Sequence, residues 1–130
     1  MVRTYAKGYR SELELVHELA KRGWLAMRAP RSGKISLPTP DIIAVKKGRV
    51  LAIECKSSSK AFKVSDEELK QLEIWKEIGG AKCYIAWRLR GKRWCFLELK
   101  TVIKNKGNVS AELCKKYGIP IEKVCECSSS

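Results

Sequence analysis

Two neighbouring apolar runs constrain this chain more than any other feature. Asp41 to Val45 (DIIAV) and Val50 to Lys56 (VLAIECK) carry aliphatic residues at consecutive positions rather than alternate ones. A strand with one wet face alternates apolar with polar, whereas an unbroken run is covered on both faces, as the central strands of an α/β sheet are. Lys46-Lys47-Gly48-Arg49 joins the two runs through a turn. The pair therefore reads as a hairpin inside a sheet that needs helices packed on it.

The rest of the chain supplies those helices. Residues from about Gly8 to Arg22 form a helix with Leu15, Val16 and Leu19 as its apolar stripe and Gly23 as its C-cap. At roughly 100° per residue, Glu12 falls in the middle of that stripe and His17 on the opposite, solvated side. Trp24 to Ala29 reads as a strand, followed by a loop, Pro30-Arg31-Ser32-Gly33-Lys34. Ser65-x-x-Glu68 is a capping box that opens a helix with Leu69, Leu72, Trp75 and Ile78 inward, stopped at Gly79-Gly80. Ala81 to Leu89 and Arg93 to Glu98 make a hairpin across Arg90-Gly91-Lys92. A short helix from Ala111 to Tyr117 lies between Ser110 and Gly118 as caps. The order α-β-β-β-α-β-β-α predicts a single α/β domain, a mixed β-sheet flanked by helices.

Charge narrows the partners. The chain has 130 residues, 45% of them hydrophobic, enough for one domain with a real core. Lys and Arg number 27 against 14 Asp and Glu, a net charge of +13. Such a balance predicts a polyanionic partner, nucleic acid first and an anionic membrane surface second. No apolar run approaches the ~18–20 residues of a membrane span, and Met1 to Lys7 lacks the apolar stretch of a secretory signal, so a cytoplasmic location is expected.

Six cysteines are then expected as thiols, although hyperthermophile proteins are an exception to that rule. Cys55, Cys83 and Cys95 lie in apolar runs and read as small core residues. Cys114, Cys125 and Cys127 lack paired zinc spacing, and no second His is present; they read as tail thiols or a terminal disulfide.

The chemistry follows from the hairpin register. A turn at Lys47-Gly48 pairs Lys46 with Arg49 and Val45 with Val50, which sets Asp41 opposite Glu54. Like charges directly opposed in a ladder are destabilising. Lys56, two residues past Glu54, projects from the same face. A buried ion pair of Lys56 with one acid would leave the other unexplained, whereas two clustered carboxylates suit a hard divalent cation such as Mg²⁺. Such an ion binds a scissile phosphate and makes hydroxide available near neutrality, while Lys56 holds that nucleophile or offsets charge growing on the phosphate. Glu12 is a third acid, either an ion-pair partner of Arg28 or a metal ligand or its support.

These residues are recognisable. Pro40-Asp41 followed by Glu54-Cys55-Lys56 resembles the PD-(D/E)xK nuclease motif. More closely, the chain is similar to the archaeal Holliday-junction resolvases. The likeness runs over Lys7-Gly8, Glu12, Arg28-Ala29-Pro30-Arg31-Ser32-Gly33, Pro40-Asp41-Ile42-Ile43-Ala44 and Ile53-Glu54-Cys55-Lys56-Ser57.

The resemblance implies a restriction-endonuclease-like core over about residues 6–100 and a C-terminal extension over 101–127, and the serine run over 128–130 is expected to be a disordered tail. It also implies a homodimer that nicks a four-way DNA junction symmetrically with Mg²⁺, or Mn²⁺ in its place, in recombination and repair. On that likeness Glu12, Asp41 and Glu54 hold the metal, Lys56 stabilises the transition state and Ser32 is a loop serine implicated in catalysis. Leu13 departs from the pattern, since many relatives carry an arginine there.

Lys7, Arg10, Arg28, Arg31, Lys34 and Lys60 flank the motif and are expected to line the DNA track. Trp87, Trp94 and Phe96 on the last hairpin, with the Leu69–Ile78 helix, are the expected dimer surface. Two rival readings share these features: a PD-(D/E)xK repair or restriction-type nuclease acting on other DNA, and a non-catalytic basic binder. A pure binder gains nothing from acids aimed at a phosphate backbone. Clamp or recombination proteins as partners are not specified by the residues.

Overall fold

The computed structural model describes residues 2–30, 37–89 and 93–126, with side chains in the first helix from Tyr9 onward. In chain order the elements begin α1 (Val2–Lys21), β1 (Leu25–Arg28), β2 (Ile42–Lys46), β3 (Arg49–Lys56), β4 (Phe62–Lys63) and α2 (Asp66–Gly79). They continue β5 (Lys82–Leu89), β6 (Arg93–Glu98), α3 (Leu99–Lys104), β7 (Asn108–Val109), α4 (Ala111–Tyr117) and α5 (Ile121–Glu126). Five strands form the main sheet in the order β1-β2-β3-β5-β6, and β4 pairs with β7 in a small second sheet. Only β3 and β5 run parallel within the main sheet, because α2 is the crossover between them.

The central hairpin has the predicted register, from Lys46 opposite Arg49 to Ile42 opposite Ile53. Lys47 and Gly48 both have positive φ, 47° and 81°, the twist a two-residue hairpin turn requires. Consecutive residues of β3 enter opposite cores. Leu51 and Ile53 pack with Leu15, Leu19, Ile42, Tyr84 and Phe96 on the α1 side. Ala52 packs with Leu69, Leu72, Cys83, Ile85 and Leu97 on the α2 side. Each fully buried aliphatic side chain stabilises by about 1.5–3 kcal/mol, so a strand contributing to both layers is fixed firmly in place.

The capping box is present: Ser65 Oγ accepts the Glu68 N–H and the Glu68 carboxylate accepts the Ser65 N–H, each at 3.1 Å. Gly80 ends α2 in the left-handed conformation, with φ 68°. His17 is exposed, as predicted. Among the described residues no helix is long and apolar enough to cross a membrane.

Several expectations are corrected. Ile78 is 84% exposed, not inward. Spacing of three residues drifts around a helix, and by Ile78 the side chain lies about 180° from Leu69. Trp87 and Phe96 are buried inside the chain, so they do not form a surface between copies. α1 is longer than predicted, β1 is shorter, and α3, α5, β4 and β7 were not foreseen.

The cysteine reading also changes. Cys95 and Cys114 form a disulfide between β6 and α4, so Cys95 is not a free core thiol and Cys114 is not a tail thiol. The bond forms because residues 108–126 turn back onto the sheet. There Phe96 donates its N–H to the Ile119 carbonyl at 3.2 Å and accepts the Ile119 N–H at 2.8 Å. Cys83 is a buried small residue as expected, its thiol pushed up to about 11 by burial. Cys127 and the tail lie outside the described residues.

Candidate active site

The site is built at the end of the central hairpin away from its turn. Asp41 lies one residue before β2, and its carbonyl accepts the N–H of Ala29, which ties it to the end of β1 at 2.9 Å. Its Oδ2 accepts the backbone N–H of Cys55 at 2.8 Å. Glu54 lies on β3 next to Cys55, and both acids are buried. Alternation along β3 puts Glu54 and Lys56 on the α2 side with Ala52.

Burial pushes the Glu54 carboxyl up to about 9, with the Asp41 and then the Glu68 charge adding to the rise and Lys56 opposing it. The charged form of Glu54 is thus disfavoured there, by burial first and by the neighbouring carboxylates second.

Lys56 Nζ donates to Glu68 Oε2 at 2.9 Å. Glu68 stands in the first turn of α2, and its other oxygen caps that helix. Burial works to raise its carboxyl, but the hydrogen bond and charge of Lys56, with the Ser65 N–H and a hydrogen bond from the Glu54 carboxyl, hold it below the ordinary range.

Glu12 is buried at the inner face of α1, and Arg28 Nε donates to its Oε1 at 2.9 Å. The Arg28 guanidinium also stacks 4.2 Å above the Tyr9 ring. Arg28 pairs in register with Ile42, which faces the α1 core, so Glu12 and Arg28 sit on the opposite side of the sheet from Glu54 and Lys56. Both sequence readings of Glu12 began with its inward direction; the structure displays the ion pair. Among the described residues no three Asp, Glu, His or Cys side chains converge tightly enough to cage an ion.

Of the expected DNA contacts, Arg10 and Lys60 are exposed. Arg28 is committed to Glu12. The side chain of Lys7, and Arg31, Ser32 and Lys34 altogether, lie outside the described residues. Sequence reasoning missed the second role of Glu68: the capping box revealed one of its oxygens and gave no sign of the other. It also missed the bridge from Arg88 on β5 to Glu14 on α1 at 2.7 Å, which braces the helix carrying Glu12.

Asp41 and Glu54 offer hard oxygen donors, and the raised Glu54 carboxyl marks a place where a divalent cation would relieve like-charge repulsion. One or two carboxylates, completed by waters and phosphate oxygens, are the donor set Mg²⁺ takes, so the residue types fit that ion.

A mixed α/β sheet with an acid pair and a lysine at the end of its central hairpin is the arrangement of a PD-(D/E)xK-type nuclease core. The chain belongs to the archaeal Holliday junction resolvase (Hjc) family, whose sequence profile matches residues 3–130. It is 35% identical over 104 residues to the crossover junction endodeoxyribonuclease Hjc of Archaeoglobus fulgidus, covering 79% of this chain and 76% of that one. The Hjc of Methanocaldococcus jannaschii is 38% identical over 89 residues, 68% of this chain and 63% of that one. The solved structure of the Archaeoglobus fulgidus Hjc, a Holliday junction resolvase from an archaeal hyperthermophile, superposes with a TM-score of 0.82 at 30% identity. That match covers 91% of this chain and 99% of the other.

Proposed function

We propose that this chain resolves four-way DNA junctions as a Mg²⁺-dependent endonuclease, making paired symmetrical nicks in homologous recombination and repair at the nucleoid. The observation that carries the reading is the buried pair Asp41 and Glu54 beside Lys56, in a chain of this family. A divalent ion held by Asp41 and Glu54 would supply Lewis acidity at the scissile phosphate and a hydroxide near neutral pH. Glu54 gives up its proton to serve as a ligand. Asp41 is held in place for the same task by the Cys55 N–H. Lys56 brings a compact positive charge to meet the negative charge that grows on the phosphate during displacement. Glu12, oriented by Arg28, and Ser32 complete the catalytic set in this reading. Lys7, Arg10, Arg31, Lys34 and Lys60 contact phosphates, and Arg28 serves them through Glu12.

Two nicks need two sites, and a two-fold homodimer supplies them in the symmetry of the junction. The surface that fits is not the last hairpin. Leu25 and Met27 on β1 are 80% and 56% exposed, on the same side of the sheet as α2, where Ile78 is also exposed. A groove along α2 is lined by Lys70, Glu73, Ile74, Glu77 and Ile78. Lys70 and Glu77 stand about two helical turns apart, so two antiparallel copies of α2 set opposite charges together.

An end-labelled four-way junction assayed beside a linear duplex of the same arms, with Mg²⁺ and then EDTA, tests the reading. Paired nicks on the junction alone, lost in EDTA, are expected; equal cutting of the duplex would favour a repair or restriction-type nuclease. Sedimentation should report a dimer that Met27→Asp with Ile78→Asp dissociates.

A further inference from the structure

We propose that Glu68 is a positioning residue for strand cleavage, giving Lys56 a carboxylate of its own so that the ammonium does not occupy the acids that bind the metal. The D…ExK pattern does not include this position. Lys56 and Glu54 lie two residues apart on one face of β3, so their side chains are neighbours. An ammonium group left to itself there would settle on Glu54 or Asp41. It would then occupy the donors a divalent ion requires and act as an internal competitor for the site.

The structure gives Lys56 a different partner. Its Nζ bonds to Glu68 Oε2 at 2.9 Å, and its ion pair is with Glu68 rather than with Glu54 or Asp41. Glu68 can hold it because Glu68 is itself fixed. Its Oε1 accepts the Ser65 N–H, which sets its rotamer, and the helix N-terminus favours its charge. The entry to the helix is pinned in turn: Val64 is buried and donates its N–H to the Gly107 carbonyl at 2.8 Å. One oxygen of Glu68 therefore serves the helix and the other serves the lysine, and the Glu68 carboxylate also accepts a hydrogen bond from the Glu54 carboxyl. The catalytic cation is aimed by the start of α2 and the metal donors by the hairpin, so Lys56 is paired with a carboxylate that is not one of those two donors.

This inference rests on the reading of Lys56 as the catalytic cation. Its test uses the full chain with Glu68→Gln, Lys56→Gln, the double variant and Ser65→Ala. Glutamine keeps an oxygen for the Ser65 N–H and loses the charge facing Lys56. Mn²⁺ affinity of the DNA-free protein and single-turnover cleavage of a junction are measured beside thermal stability. Glu68→Gln should slow cleavage roughly tenfold or more and weaken Mn²⁺ binding by about threefold or more, while the double variant binds Mn²⁺ as Lys56→Gln does. Ser65→Ala should lower stability yet leave cleavage and Mn²⁺ affinity within about twofold of the parent.

Parent-like cleavage by Glu68→Gln would overturn the proposal. So would equal weakening of Mn²⁺ binding by Glu68→Gln in the Lys56→Gln background, which would make Glu68 a partner of the metal directly. Lys56→Gln gives a check that does not depend on how Glu68→Gln folds. Its Mn²⁺ affinity should stay within about twofold of the parent; tightening of about tenfold would show that Lys56 sits on the acids, against the proposal. Parent-rate cleavage by Lys56→Gln would bring down the active-site reading itself, whereas an inactive Lys56→Gln beside a parent-like Glu68→Gln removes Glu68 alone.

Discussion

The carboxylate of Asp41 accepts the backbone N–H of Cys55 at 2.8 Å, so one site acid is held by the strand that carries the other. Cys55 lies directly between Glu54 and Lys56, and any shift of β3 moves all of them together.

That bond makes Asp41→Asn a clean variant, since an amide oxygen accepts the same N–H. Junction cleavage should be lost, while junction binding persists or tightens as repulsion of phosphate falls. Glu54→Gln should behave alike. Gel-shift affinity in Ca²⁺ beside cleavage in Mg²⁺ checks both, and near-parent cutting by Asp41→Asn would refute the site.

The Glu54 carboxyl, pushed up to about 9 by burial and by Asp41, predicts a loss of stability with rising pH in the metal-free protein. The folded chain keeps a proton there that the unfolded chain releases at the ordinary value of 4.5. Stability contributed by that proton is full below this value and is lost as pH rises toward about 9. Melting in EDTA should show Tm falling across this window, and Glu54→Gln should flatten the fall. Mg²⁺ binding at neutral pH should expel up to about one proton, measurable by calorimetry in buffers of different ionisation enthalpy.

The Cys95–Cys114 bridge closes a loop with a sequence separation of 19. A loop of this size predicts about 3 kcal/mol of stabilisation and a Tm lower by roughly 10 °C in Cys114→Ser or under reducing conditions. The site lies on other elements, so junction binding below the melt should be unchanged. Calorimetry with and without reductant decides the point.

If about six phosphates are neutralised per protomer, log K should fall against log[salt] with a slope near −5. Arg10→Ala and Lys60→Ala should each lessen that slope by about one without changing the site of cutting. A salt-independent affinity would contradict the electrostatic account.

The site was legible where local geometry decides. The turn at Lys47-Gly48 fixes the hairpin register, and the register opposes the acids. The inward direction of Glu12 followed from helical period, but its partner did not, because Arg28 reaches it from another strand. Ile78 was misread through a spacing that drifts with every turn. Cys95 gave no sign of Cys114, since their meeting depends on how the last segment folds back over the sheet. α3, at six residues, is too short to be stable by its own propensity and owes its form to Leu99 and Val102 in the core.

The paired main-chain bonds between Phe96 and Ile119 bear on solubility as well as shape. A sheet that does not close on itself exposes a row of bare donors and acceptors at each margin, a template for other chains. On the β1 side the margin is only four residues long. On the β6 side the returning segment occupies it. Removing the residues after β7 would leave the acids and the Val64–Gly107 bond in place and uncover the Phe96 backbone. Such a shortened chain should keep its chemistry while stacking into ordered aggregates at high concentration.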